Sequence, residues 1–577
     1  MFHRVIVLWL VRKYNMKKFL LCILFLIILR LVCAFYAPSE WWGINYLGFL
    51  NPTFVFIISG LSISFLLFWK RLPKIAWKFT NFIFNKYIII NSIIIASIFT
   101  VLFYTYSVPF PILDDGSHVV TTMFRYIVGA DNFGSLWIEY LSYKLIEVFV
   151  HINRNSVPDS WHSIISVFQW VSYITGFLYV FFVFYLTNKL KYTNLFKLTL
   201  TSGFLFCGGI LFYFGYIEYY APIYLFGALF ILSGLREVGE FPLWSTIFFV
   251  ISLPFYMLSI VFFPMLMTLY FLWQRMNIKY IIGIWGVIIL ACFIFYLSQN
   301  QTNDETFFLS WFGWSGWKIG ILTAQHLYDI INILLLISPI IILLPFIFKF
   351  KGEQDFIFVL SCAVFWFVFL IPTRALLAMN FGMFVFCGMS LTLLVIFLIK
   401  KNNVILSQVV IQMLLLVIPW IYLNSLFQPS VERFKSITEV YMNLLPKPWV
   451  QQYIEKLRKC YVAAGNFNGE ITCMTSTINL TNDSYEYAKL NGLLSQLKQQ
   501  HIAISDTSTR QIIKILPKIL KQDLMKIVRI SQQDSLAIGD LGIYIIQKTY
   551  ILSNHKYLNE LKYYFKEFNE KRADDHK

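Results

Sequence analysis

The sequence is built around apolar runs of the length that crosses a bilayer. About 30 Å of hydrocarbon takes roughly 20 helical residues, and runs of that order occur near 18–36, 52–69, 87–106, 164–187, 198–214, 221–235, 280–297, 329–348, 355–372, 376–399 and 404–424. The longer stretch 242–273 contains Pro254 and Pro264 and reads as two short spans with a turn near 256–260. Thirteen spans are therefore expected. Composition agrees, since the chain is 58% hydrophobic and 13% charged, against about 25% charged for soluble domains. A large multidomain cytosolic protein is excluded, and the expected fold class is an all-α polytopic membrane protein.

The net charge of +17 raises the question of nucleic acid. The basic residues before 425 lie mostly in short loops between apolar runs, with no basic stripe interleaved with aromatics, so no nucleic-acid partner is expected. Arg4, Arg12, Lys13, Lys17 and Lys18 place the N-terminus in the cytoplasm. Alternation then gives twenty Lys and Arg in cytoplasmic segments and five outside: Arg125, Lys144, Arg154, Lys318 and Arg374. An even number of spans in 242–273 keeps this bias consistent on both sides of it. The first apolar run lacks a small-residue cleavage site and is expected to stay as a helix. Arg30, inside it, should face other helices or reach for the interface.

Residues 430–577 rise in charge and lose the long apolar runs, so 1–429 is expected as the membrane domain and 430–577 as a small extracytoplasmic domain, α+β or mostly helical. Helical patterns cover 446–460 and 508–530, Ser508 or Asp506 suits a helix cap, and alternation over Gly542 to Leu552 reads as a strand. Cys460 and Cys473 both lie there, where an oxidising compartment would permit a disulfide. Residue usage points to a bacterial chain, hence a cytoplasmic (inner) membrane location.

The polar chemistry faces outward. The largest external loop, 107–163, opens with Asp114-Asp115-Gly116-Ser117-His118 directly after the third span. Adjacent carboxylates at a lipid boundary repel and lose solvent, which raises the pKa of at least one and suits a general base. The same residues also fit a solvated Asp-Gly turn or a helix N-cap. Further along that loop, 133–152 reads as an amphipathic helix lying on the membrane. Glu218 stands alone in a short aromatic turn between the fifth and sixth spans, and an ionisable residue at the membrane boundary points to function. In the external loop 298–328, Trp311, Trp314 and Trp317 precede Lys318, and His326, Asp329 and Asn332 follow at intervals of three, along one side of an entering helix. Arg125, Lys318, His326 and Arg374 are the cations available to a phosphate at this interface.

These features resemble the GT-C superfamily of membrane glycosyltransferases: many spans, an acidic pair at the start of the first large external loop (here Asp114-Asp115), amphipathic loop helices after it, and an external C-terminal domain. The resemblance covers the layout of the whole chain and rests on a short motif. It implies a polyprenyl-phosphate sugar as donor, as in the mannosyltransferase and aminoarabinose-transferase kind, with membrane lipid as its setting. Asp114 or Asp115 would act as base, Glu218 would orient the acceptor or hold His118, and Arg125, Lys318, His326, Asp329 and Arg374 would line the substrate site. The acceptor, whether lipid, glycan or protein, is not specified. No nucleotide is implied and no Gly-rich phosphate loop is present. A divalent cation is compatible with Asp114, Asp115 and Glu218 as hard oxygen ligands, but lipid phosphates can also be held by Arg and Lys alone. Two departures stand out: Trp41-Trp42 is followed by Gly43-Ile44-Asn45, so the WWDYG signature of oligosaccharyltransferases is absent, and the pair is Asp-Asp where Asp-Glu is commoner. A transporter or lipid flippase would instead carry charge near mid-membrane and a two-fold repeat. A glycan polymerase or ligase would share the large external loop.

Overall fold

The computed structural model describes residues 21–36 except 22, 39–68, 71–108, 157–216, 220–253, 257–298, 320–344, 352–371, 385–399, 410–442, 444–445, 447–463, 465–481, 484–500 and a few positions between 505 and 515. Among them all regular structure is helical. The chain divides into two compact units, Met1–Val440 and Tyr441–Lys577. The division falls at the end of a helix, where the sequence reading had placed it at 429/430.

The first unit comprises α1 (Ile23–Tyr36), α2 (Pro52–Leu67), α3 (Leu72–Ile83), α4 (Ile88–Thr105), α5 (Val157–Lys189), α6 (Asn194–Leu205), α7 (Tyr220–Glu237) and α8 (Leu243–Ser252). It continues with α9 (Phe262–Trp273), α10 (Ile278–Ser298), α11 (Ala324–Ile337), α12 (Gln354–Leu370), α13 (Val385–Leu398), α14 (Ile418–Ser425) and α15 (Phe427–Tyr441). Each expected apolar run contains a helix. Among the described residues, however, length and apolarity qualify Ile88–Thr105 and Ile165–Lys189 alone to cross a membrane, or three segments if Val410–Ser425 and Phe427–Tyr441 are one span bent by 107°. Shorter apolar helices of 10–17 residues include Ile23–Tyr36, Pro52–Leu67, Ala324–Ile337, Gln354–Leu370 and Val385–Leu398.

Local chemistry explains several breaks. The run 198–214 is interrupted at Cys207, after which Gly208–Tyr213 forms a 3-10 turn. A Cβ on Gly209 would lie 2.0 Å from the Tyr224 ring, so only glycine lets α7 approach here. Pro339 ends α11 and starts the 3-10 turn Pro339–Leu343. The split expected in 242–273 is observed: α8 and α9 form a hairpin, with the 3-10 turn Met257–Val261 between them, Thr246 Oγ1 3.0 Å from Tyr270 Oη, and Ser259 Oγ donating to Ser252 O at 3.0 Å. Sequence reading missed α3, which it treated as cytoplasmic loop.

The core centres on α7, where nearly every residue from Tyr220 to Glu237 is buried. Around it Trp366 and Phe386 stack at 4.9 Å, Phe262 meets both edge-on, and Tyr179, Tyr213 and Tyr224 form a second ring cluster. On α4 the balance reverses. Ile89, Ile90, Ile94, Ile98 and Val101 are all more than half exposed, an apolar face that water would not leave uncovered in a stable monomer.

Helix ends sort into two sets. At one end Ser39 Oγ is 2.7 Å from Ser436 Oγ, Trp42 bonds to Asp329, Val108 N donates to Phe214 O at 2.8 Å, and His326 meets Ile371 O. At the other, Asn194 Nδ2 donates to Asn81 Oδ1 at 3.2 Å, Tyr192 donates to the Asp355 carboxylate, and Glu237 accepts from Trp244 N and Ser245 N, capping α8. Each bond joins segments that charge alternation assigns to one side, external in the first set and cytoplasmic in the second.

The second unit contains α16 (Lys447–Ala463), α17 (Phe467–Thr481) and α18 (Ser484–Gln499). Val450, Ile454, Leu457 and Tyr461 line the buried face of α16, with Ile471, Met474 and Ile478 on α17 and Leu490, Leu494 and Leu497 on α18. α16 stops in a Schellman cap: Asn466 N donates to Tyr461 O and Gly465 N to Val462 O, with Gly465 at φ +64°. Ser505 Oγ accepts from Ser508 N at 3.2 Å, while Asp506, the other expected cap, and most of the helix expected over 508–530 lie outside the described residues. Cys473 is buried, whereas the Cys460 side chain and the strand expected over 542–552 lie outside the described residues.

Arg30, 1% exposed, sits between three helical segments of the first unit. Its guanidinium donates to Tyr46 Oη, to Leu415 O and, at 3.1 Å, to Leu335 O. Both carbonyls lie four residues before a proline, Pro419 and Pro339 respectively, which has no N–H to return. The π-helical turn Met413–Val417 further displaces the register around Leu415. Arg30 thus supplies the donors that two prolines remove. Replacing it by Met should cost about 1–3 kcal/mol for each stranded carbonyl, read as a lowered unfolding temperature of the purified protein, with Arg30→Lys recovering only part because one ammonium spans the two carbonyls poorly.

Candidate functional site

Of the residues singled out from sequence, Asp114, Asp115, His118, Arg125, Glu218, Lys318 and Arg374 lie outside the described residues, while His326 and Asp329 are within them. What is described is where the acid-bearing segments leave the bundle. Val108, six residues before Asp114, donates its N–H to the carbonyl of Phe214, four residues before Glu218. Gln169 Nε2 donates to Val108 O at 3.1 Å, Tyr173 Oη donates to Ser107 Oγ at 2.7 Å, and Ser172 Oγ accepts from Gly215 N at 3.1 Å. Gly215 adopts φ +72°, and a Cβ there would lie 2.2 Å from Ser107 Oγ, so glycine permits both the turn and the contact.

At the same end, α11 presents the polar side that the three-residue spacing predicts. His326, Asp329 and Asn332 are all at most 2% exposed. Asp329 and Asn332 hold the segment after α1. Asp329 Oδ1 accepts from Trp42 Nε1 and Gln325 Nε2, each at 3.1 Å, Asn332 Oδ1 accepts from Gly43 N at 3.1 Å, and Asn332 Nδ2 donates to Glu40 O at 2.7 Å. The backbone approach is close enough that a Cβ on Gly43 would sit 2.1 Å from Asn332 O. His326 Nε2 lies 2.7 Å from Ile371 O, and since a carbonyl only accepts, Nε2 carries the proton. The carbonyl is one that the C-terminus of α12 leaves without a helical donor.

Two side chains that sequence reading missed complete this end. Trp42, fully buried, joins Asp329 through its indole and Arg433 through its backbone, since Arg433 Nη2 donates to Trp42 O at 3.2 Å. Arg433 is 2% exposed, and among the described residues its Nε has no hydrogen-bond acceptor. Burial pushes the guanidinium down to about 10, opposed by the phenol groups of Tyr216 and Tyr46, and it remains a cation at neutral pH. The available signal was the spacing of Val431, Phe434, Ile437 and Tyr441, which continues an apolar stripe straight past the last span and buries it.

Among the described residues no group of three or more His, Cys, Asp or Glu side chains is placed to hold a metal ion. No protein-family model matches the chain, and no curated protein or solved structure does either.

Two outcomes follow from this geometry. Gly43→Ala should be destabilising by about 1–3 kcal/mol, because backbone faces backbone and neither side yields easily; the unfolding temperature measures it. Desolvation pushes His326 below its ordinary value of 6.5, outweighing the bond to Ile371. The unfolded chain therefore takes up the proton first, so stability should decline as pH falls below about 6.5. His326→Gln should flatten that decline in unfolding temperatures measured between about pH 7.5 and about pH 5.5.

Proposed function

We propose that this chain is an integral membrane glycosyltransferase of GT-C type. It moves a sugar from a polyprenyl-phosphate donor to an extracytoplasmic acceptor with inversion. Asp114 or Asp115 takes the proton of the acceptor hydroxyl, the acceptor oxygen bonds to the anomeric carbon, and the bond from that carbon to the phosphate oxygen breaks, releasing polyprenyl phosphate. Cations at the rim stabilise the departing phosphate, and Glu218 orients the acceptor or His118. On this reading about thirteen spans cross a bacterial cytoplasmic membrane, the N-terminus lies in the cytoplasm, and the C-terminal unit lies outside.

The observation that supports the reading is the bond from Val108 N to Phe214 O, which joins a residue six positions before Asp114 to one four positions before Glu218. The sorting of helix ends into two sets and the bare apolar face of α4 support the membrane part of it. Arg30 favours it over a transporter, because the mid-span charge that a transport path would use is bonded to a phenol and two backbone carbonyls.

The test is turnover of the purified protein with a panel of polyprenyl-phosphate sugars. At least one of Asp114→Asn and Asp115→Asn should lower the rate by about 100-fold or more, and Glu218→Gln should lower it less. Wild-type turnover in all three variants would remove the proposed site.

A further inference from the structure

From Trp41 to Leu113 the chain carries no Asp or Glu, and its basic residues all fall in one short stretch: Lys70, Arg71, Lys74, Lys78 and Lys86. α3 occupies the middle of that stretch and joins the C-terminal end of α2 to the N-terminal end of α4. Positive charge is thus concentrated on one connector, with no carboxylate in the same stretch to offset it.

The two flanking helices end alike. Leu67 and Phe68 are more than half exposed where α2 stops, and the Arg71 guanidinium lies over the Phe68 ring at 5.7 Å. Where α4 starts, Lys86 Nζ lies over the Tyr87 ring at 4.9 Å, and Tyr87, Ile89 and Ile90 are each more than half exposed. Along each helix a bare apolar face therefore gives way to an aromatic ring and then to a cation, the order of hydrocarbon, interface and headgroup in a bilayer. Arg71, Lys78 and Lys86 are all exposed, and the first two stand about two turns apart on one side of α3.

This connector is held in place. Thr80 and Ile83 are buried, Asn91 Nδ2 on α4 donates to Phe82 O and Ile83 O, each at 3.0 Å, and Asn194 Nδ2 at the start of α6 donates to Asn81 Oδ1. The last bond brings in the turn between α5 and α6, where Lys189 and Lys191 are exposed. Asp355, the carboxylate that meets this turn, accepts from Tyr192.

We propose that α3 and the turn between α5 and α6 form a docking surface for anionic phospholipid headgroups of the cytoplasmic leaflet. Arg71, Lys78 and Lys86 make the contacts, and Lys189 and Lys191 extend the surface. Fixed cations above bare apolar flanks suit a lipid surface better than a soluble anion, because acyl chains cover the faces next to the charges. The inference rests on the membrane part of the reading above and is independent of sugar transfer.

The experiment places the full-length protein in phosphatidylcholine nanodiscs and compares trace spin-labelled phosphatidylglycerol with spin-labelled phosphatidylcholine in the lipid shell that the protein slows. Wild type should favour phosphatidylglycerol by about threefold or more, and the preference should fade as salt rises to about 1 M. The triple variant Arg71→Gln, Lys78→Gln, Lys86→Gln should lose most of it. A wild type without preference overturns the proposal, as does a folded triple variant that keeps the whole of it. Should the variant fail to fold, hydrogen exchange over 71–87 of the wild type decides: added protection in discs doped with phosphatidylglycerol supports the surface, and equal exchange in both kinds of disc overturns it. Loss of the preference on adding soluble glycerol phosphate in place of salt of equal ionic strength also overturns it, by assigning the cations to a free anion. A chain that does not enter the disc removes the membrane reading and this inference together. One that enters, keeps the preference and transfers no sugar supports the surface and removes the enzyme alone.

Discussion

Backbone groups inside an apolar bundle have no water to turn to, and this first unit meets that constraint with one long side chain. Arg30 reaches from α1 to the carbonyls of Leu335 and Leu415, which two prolines have left without donors, while Tyr46 donates to the second of them as well. The helical breaks at Pro339 and Pro419 are thereby tolerated.

That end is assembled mainly by side chains bonding to backbone. Asp329 and Asn332 fix Trp42 and Gly43, His326 closes the end of α12, and Gln169 fastens Val108. The polar atoms of α11 are thus engaged with protein, which assigns His326 and Asp329 to shaping the rim more than to lining an open cavity. The carboxylates that the proposed chemistry uses would then come from the two segments tethered at Val108 and Phe214.

Much of the helical plan was legible because it is written in local pattern. Run length gave a helix at each expected position, two prolines in 242–273 marked a hairpin, and a three-residue spacing put His326, Asp329 and Asn332 on one face. The finer features depend on contacts distant in sequence. Nothing near Cys207 says that Tyr224 will press against Gly209 and break the run 198–214. Arg433 reads as one more charge in a polar tail until α15 folds its apolar stripe inward. The helices 467–481 and 484–499 carry weaker apolar stripes, so their packing becomes apparent only once α16 is present to pack against.

The bonds of Arg30 also set an order of events. A chain made from its N-terminus delivers α1 first, yet the two carbonyl acceptors for its guanidinium are synthesised some three hundred and almost four hundred residues later. Until Leu415 emerges, the guanidinium on the first helix lacks its full set of acceptors. The set of bonds that anchors α1 is therefore completed only when one of the last helical segments of the first unit arrives.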